Sequence, residues 1–118
     1  MVLILACQQT GTSEAITNEE LMELLKDPDV QLIDVRTPSE WSGGIIPNAR
    51  KINYRDSDFL QQMEQSLDKD KPLVVYCAAG GRSAKAAKKL SDSGFKKIYD
   101  LEVGFSGWKA AGMPIERE

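Results

Sequence analysis

Apolar residues recur at helical spacing behind Thr17-Asn18-Glu19-Glu20, where Leu21, Met22, Leu24 and Leu25 form one stripe. The Thr-x-x-Glu start has the form of a capping box, and Asp27-Pro28-Asp29 ends the helix. Val30-Gln31-Leu32-Ile33-Asp34-Val35 then reads as a strand. Thr37-Pro38-Ser39-Glu40 is a second capping box with proline at the first helical position, and it predicts a short helix carrying Trp41. Gly43 to Ala49 is loop chemistry, Lys51-Ile52-Asn53 a short edge strand, and Phe59 to Leu67 an amphipathic helix built on Phe59, Leu60 and Met63. Pro72-Leu73-Val74-Val75-Tyr76-Cys77 is a nearly continuous apolar run, the pattern of a strand covered on both faces. Only small residues follow, Ala78-Ala79-Gly80-Gly81, before Arg82-Ser83 opens a helix through Ala84, Ala86, Ala87 and Leu90 that Gly94 terminates. Lys97 to Leu101 is a last strand and Phe105 to Ala111 a last helix. Strands and helices alternate throughout, which predicts an open, mainly parallel α/β sheet with helices on both faces. Its ligand site is expected beyond the carboxyl ends of the strands.

At 118 residues and 42% hydrophobic content the chain has the length and apolar material of one domain. With 15 Lys+Arg against 18 Asp+Glu, the net charge of −3 does not suggest a nucleic-acid partner. The absence of histidine removes Ser-His-Asp triads, Cys-His dyads and His-ligated metal sites together. Cys7 and Cys77 are too far apart in sequence for a CxxC dithiol, and a disulfide between them would quench the thiol considered below. Charge is uneven: Arg82, Lys85, Lys88, Lys89, Lys96 and Lys97 face Asp92 alone within residues 82–97, placing a positive segment just after Cys77.

Residues 1–13 read as a flexible N-terminal segment and residues 14–118 as the folded domain. Met1 to Ala6 is too short an apolar run to span a membrane. Its end, Ile4-Leu5-Ala6-Cys7, resembles the tail of a bacterial lipoprotein signal. That likeness implies a lipid anchor at Cys7 and a place in the cell envelope. Without it, the expectation is a cytoplasmic protein.

Cys77 stands where the strand-end rule puts active sites. A thiol of ordinary pKa is mostly protonated at neutral pH, and the thiolate is the form that attacks or carries sulfur. With no imidazole available, the remaining sources of stabilisation are the free N–H groups of a first helical turn, the helix dipole, and a nearby Arg or Lys. Gly80 and Gly81 allow backbone angles closed to other residues, so the loop from Ala78 to Arg82 can turn its N–H groups inward as an anion-binding nest. The bland alternative is a buried, inert cysteine that closes a core strand.

Four segments in order carry a family resemblance. They are Asp34-Val35-Arg36 with Glu40-Trp41, Gly44-Ile45-Ile46-Pro47-Asn48-Ala49, Cys77-Ala78-Ala79-Gly80-Gly81-Arg82-Ser83, and Gly104 to Trp108 with Ala111-Gly112-Met113-Pro114-Ile115. Together they resemble a single-domain rhodanese across roughly residues 15–116. The resemblance implies a sheet of about five parallel strands. It also implies a sulfurtransferase that moves sulfur from a small anionic donor such as thiosulfate to cyanide or a thiol, with no cofactor and no metal.

Under that resemblance Cys77 is the nucleophile and persulfide carrier, and Ala78, Ala79, Gly80, Gly81 and Arg82 form the cradle for the anion. Arg82 has two readings, a donor-binding cation or a brace paired with Asp34 or Glu40. Asp34, Arg36 and Glu40 are supporting residues, Ser83 is the helix N-cap, and Trp41 and Trp108 are packing residues. Two positions depart from the family pattern: Ile45 stands where Gly-His-Ile-Pro has histidine, and Ala78 is uncharged where some relatives have an arginine for thiosulfate. A sulfur-relay module fed by a partner protein is the main alternative. A cysteine phosphatase or arsenate reductase is a remote one, because those resemble C-x5-R whereas only Ala78, Ala79, Gly80 and Gly81 separate Cys77 from Arg82.

Overall fold

The computed structural model of the chain describes residues 11–117. Five parallel strands form one sheet in the order β1-β5-β4-β2-β3: β1 Thr12–Ile16, β2 Gln31–Asp34, β3 Arg50–Lys51, β4 Leu73–Tyr76 and β5 Lys97–Leu101. Five helices accompany them: α1 Asn18–Leu24, α2 Pro38–Trp41, α3 Phe59–Ser66, α4 Gly81–Asp92 and α5 Gly104–Ala110. The α/β class and the parallel sheet expected from the alternating pattern are those observed.

The side-chain period of two sorts each strand between two cores. Leu73 and Val75 of β4, Ile33 of β2 and Ile98 of β5 turn to one face, where Phe59 and Met63 of α3 and Ala86, Ala87 and Leu90 of α4 cover them. Val74 and Tyr76, Leu32 and Leu101 turn to the other, against Leu21 of α1 and Phe105 and Trp108 of α5. β4 is buried along its whole length, which is why it reads as an unbroken apolar run. It lies at the centre with β2 on one side and β5 on the other, in registers Ile33↔Val75 and Val75↔Asp100. The residues that follow β4 therefore emerge at the middle of the sheet's carboxyl edge.

β1 has no counterpart among the expected strands. It pairs with β5 from Thr12↔Lys97 to Ile16↔Leu101, so the boundary placed between residues 13 and 14 falls inside a strand. Its burial shows why the pattern was silent: as an edge strand it exposes Thr12 to Ala15 and buries only Ile16. Cys7 and the apolar residues before it lie outside the described residues. Among the described residues no helix is long and apolar enough to cross a membrane.

Candidate active site

Cys77 follows β4 directly and is 1% exposed. Three constraints shape the loop it begins. The N–H groups of Phe105 and Ser106 at the start of α5 donate to the carbonyls of Cys77 (2.8 Å) and Ala78 (3.0 Å), which turns those carbonyls toward α5. Gly104 makes this contact achievable, because a Cβ there would lie 2.5 Å from the Ala78 oxygen. Gly80, at φ 103°, is the N-cap of α4, and a Cβ at that position would lie 2.6 Å from the Glu102 oxygen as well as in a backbone region closed to L side chains. With the carbonyls directed outward, the Gly80 N–H points at Cys77 Sγ from 3.1 Å.

Burial by itself pushes the Cys77 thiol up. The Ser83 hydroxyl and the backbone N–H groups of Ser83, Ala79 and Gly80 outweigh it, and the thiol is held below its ordinary value. The Gly80 N–H faces the sulfur, and two details of the loop differ from the expectation. Gly81 is not one of its special positions: it is the first residue of α4, with no positive φ and open space where a Cβ would go. Ser83 is not the N-cap, a place taken by Gly80; it sits in the first turn of α4, fully buried, with its hydroxyl on the Gly80 carbonyl oxygen (3.2 Å) and on Asp100 Oδ1 (2.5 Å). The left-handed backbone of Gly80 explains the shift, since it begins the helix three residues earlier than a cap at Ser83 would.

Of the two readings of Arg82, the brace is the one observed. Its Nη1 and Nη2 each meet one oxygen of Glu40 at 2.7 Å. The guanidinium holds the Glu40 carboxyl down to about 2, against the opposing effect of burial and with help from Thr37. Arg82 also carries an attraction toward Cys77. The remaining bases of the positive segment do not crowd the thiol: Lys85, Lys88 and Lys89 occupy the solvent face of α4, and Lys96 pairs with Asp70 at 2.9 Å.

Asp34 and Arg36 form a separate, buried unit. Arg36 Nε lies 3.0 Å from both Asp34 oxygens and Nη2 2.7 Å from Oδ2, while Nη2 also donates to the Gly44 carbonyl at 2.7 Å. The guanidinium plane lies over the Phe105 ring at 4.2 Å. Despite the cost of burial, Asp34 keeps Arg36 above its ordinary value. This pair locks the loop after β2 without touching the thiol. Trp108 packs in the core and donates from Nε1 to the Pro114 carbonyl at 2.6 Å; Trp41 is half-buried, with Lys51 Nζ 5.8 Å from its ring centre.

Asp100 and Gly104 belong to the site and were not among the expected residues. The signal for Asp100 was present: it shares a strand face with Ile98, so a polar side chain stands in an inward position. The phasing of β5 against α4 is what a single sequence does not supply.

The Rhodanese-like domain model matches residues 17–111, which contain both loops of this site. The chain belongs to the rhodanese-like family. A sulfurtransferase of Allochromatium vinosum is 34% identical to it over 101 residues, covering 85% of this chain and 92% of that one. The thiosulfate sulfurtransferase GlpE of Coxiella burnetii is 37% identical over 95 residues, 80% of this chain and 86% of that one. The solution structure of a polysulfide-sulfur transferase homodimer from Wolinella succinogenes superimposes with TM-score 0.77 at 32% identity, over 90% of this chain and 80% of that one. These likenesses put the rhodanese-like domain in the sulfurtransferase class.

Proposed function

We propose that the protein is a sulfurtransferase that carries sulfur as a persulfide on Cys77, drawing it from a small anionic donor such as thiosulfate. The observation that supports this most is the thiol itself, buried at the sheet's carboxyl edge yet kept below its ordinary pKa by a hydroxyl and three N–H groups. In the first half-reaction the thiolate attacks the outer sulfur of thiosulfate. A new S–S bond forms to Cys77, the old S–S bond breaks, and sulfite leaves with the bonding pair. The negative charge now rests on the outer sulfur, within the N–H nest that begins at Ala79 and Gly80. In the second half-reaction cyanide or a thiolate attacks that outer sulfur, and Cys77 leaves as the thiolate.

A second reading has its own support. Ala78 offers no charge, and both Nη atoms of Arg82 are engaged by Glu40, so no arginine of this loop stands ready to bind the sulfonate oxygens of thiosulfate. That favours a relay in which a partner protein or a polysulfide supplies sulfur and thiosulfate is used poorly. The same locked Arg82, with the short loop, argues against phosphate or arsenate chemistry. The deciding experiment measures thiocyanate formed from cyanide with thiosulfate or polysulfide as donor, beside the Cys77→Ser variant. Thiosulfate turnover that vanishes in Cys77→Ser supports the first reading; turnover with polysulfide alone supports the relay. Turnover with neither, in a folded protein, would overturn loading from a small donor and leave only the relay fed by a partner protein. Hydrolysis of an aryl phosphate is expected to be undetectable.

A further inference from the structure

Asp100 alternates onto the face of β5 that α4 covers, and it is 8% exposed. Its Oδ1 meets Ser83 Oγ at 2.5 Å, and Ser83 has no exposure at all. The same hydroxyl lies 3.2 Å from the Gly80 carbonyl oxygen, in the turn whose Gly80 N–H meets Cys77 Sγ at 3.1 Å, and it is one of the groups that hold the Cys77 thiol below its ordinary value. A hydroxyl has one proton, so these three neighbours compete for it. An ionised Asp100 takes it, having both the charge and the shortest contact. A protonated Asp100 instead donates to Ser83 Oγ, and the serine proton is released to turn toward the sulfur.

We propose that Asp100 is a positioning residue for the nucleophile: its protonation state sets the direction of the Ser83 hydroxyl, and so how well the Cys77 sulfur holds negative charge. The inference rests on Cys77 acting as the sulfur-carrying anion. The proton count closes: when the thiol loses a proton and Asp100 gains one, the unit keeps a single negative charge, now on sulfur and facing a donor. Burial pushes the Asp100 carboxyl up, against the pull of Ser83, and the nearby Glu102 adds to the rise, so the protonated form is favoured relative to an ordinary carboxyl. The other charged groups in reach are Arg82, which attracts the thiolate, and its partner Glu40.

The test is the pH dependence of Cys77 alkylation by iodoacetamide in the full chain, read by mass on the Cys77 peptide so that Cys7 does not interfere. Asp100→Asn removes the carboxylate charge and offers an Nδ2–H that can donate to Ser83 Oγ. It is expected to move the alkylation midpoint down by about half a pH unit or more, roughly a threefold gain in thiolate below the midpoint. Ser83→Ala is then expected to raise the midpoint more in the Asp100→Asn background than in the wild type. Asp100→Ala, which leaves no acceptor, serves where the amide variant does not fold and is expected to shift the midpoint in the same direction. An unchanged or raised midpoint in a folded variant would overturn the proposal. So would an equal shift with and without Ser83, the mark of a direct charge effect. Alkylation needs no sulfur donor, so wild-type protein that fails to load sulfur contradicts the transfer function. Protein that loads sulfur but lacks this coupling contradicts the Asp100 inference alone.

Discussion

Two loops leave the carboxyl edge of the sheet side by side, one after β2 and one after β4, and each runs into the start of a helix. After β2 the helix start is filled by the chain itself: Glu40 Oε1 accepts from the Thr37 N–H at 3.1 Å and from its hydroxyl at 2.9 Å. Arg36 closes the rest of that loop through Asp34 and Gly44. After β4 the helix begins on a glycine with no side-chain cap, and a sulfur receives the N–H instead. The two starts obey the same requirement, that N–H groups of a first helical turn find an acceptor. A fixed carboxylate gives a rigid wall, while a thiol gives an acceptor that can gain and lose an atom. The Arg82–Glu40 bridge ties the reactive start to the rigid one.

Removing Arg36 breaks the rigid loop with the largest expected effect. Its pair with Asp34 has side chains only 5% and 0% exposed, and leaving that carboxylate buried alone costs about 3–5 kcal/mol. Arg36→Met is expected to show this loss in urea unfolding. Gly80→Ala breaks the reactive loop: the added Cβ meets the Glu102 oxygen and disfavours φ 103°, so the nest opens. Sulfur transfer is expected to fall about a hundredfold, with a raised alkylation midpoint at Cys77.

The bridge between the loops has a smaller effect, visible in pH. Glu40 is held at about 2 when folded, against an ordinary 4.5, so its stabilisation is fully present above 4.5 and is lost as pH falls through about 2. With side chains 21% and 29% exposed, the pair contributes only about 1 kcal/mol. Glu40→Gln is expected to remove that much at neutral pH and to flatten the unfolding curve within this acid window. The smallest effect belongs to Gly81→Ala, which enters open space at a helical position and is expected to change stability and transfer by no more than about 0.5 kcal/mol. The contrast between Gly80 and Gly81 sharpens the account, because their sequence context is the same and only geometry separates them.

The strands with two buried faces and the capped helices were legible because burial and capping leave local marks, as Leu73 to Tyr76 and Thr17 with Glu20 show. β1 was not legible, since an exposed edge strand carries no apolar pattern. At the site, Cys77 and its small-residue loop could be read from order and composition. What was hidden depends on long-range placement: the choice of Glu40 over Asp34 as the partner of Arg82, the clash that reserves Gly104, and the approach of Asp100 to Ser83. Each joins residues from different elements, and only the packed sheet brings them together.

Sulfur carriage by Cys77 is tested most directly by the mass of the Cys77 peptide after thiosulfate or polysulfide is added to the reduced protein, and again after cyanide. The account predicts a gain of one sulfur atom on Cys77 with at least one donor, absent in Cys77→Ser and discharged by cyanide as thiocyanate. A folded protein whose Cys77 alkylates readily but gains no sulfur from either donor would contradict the loading of Cys77 by small sulfur donors.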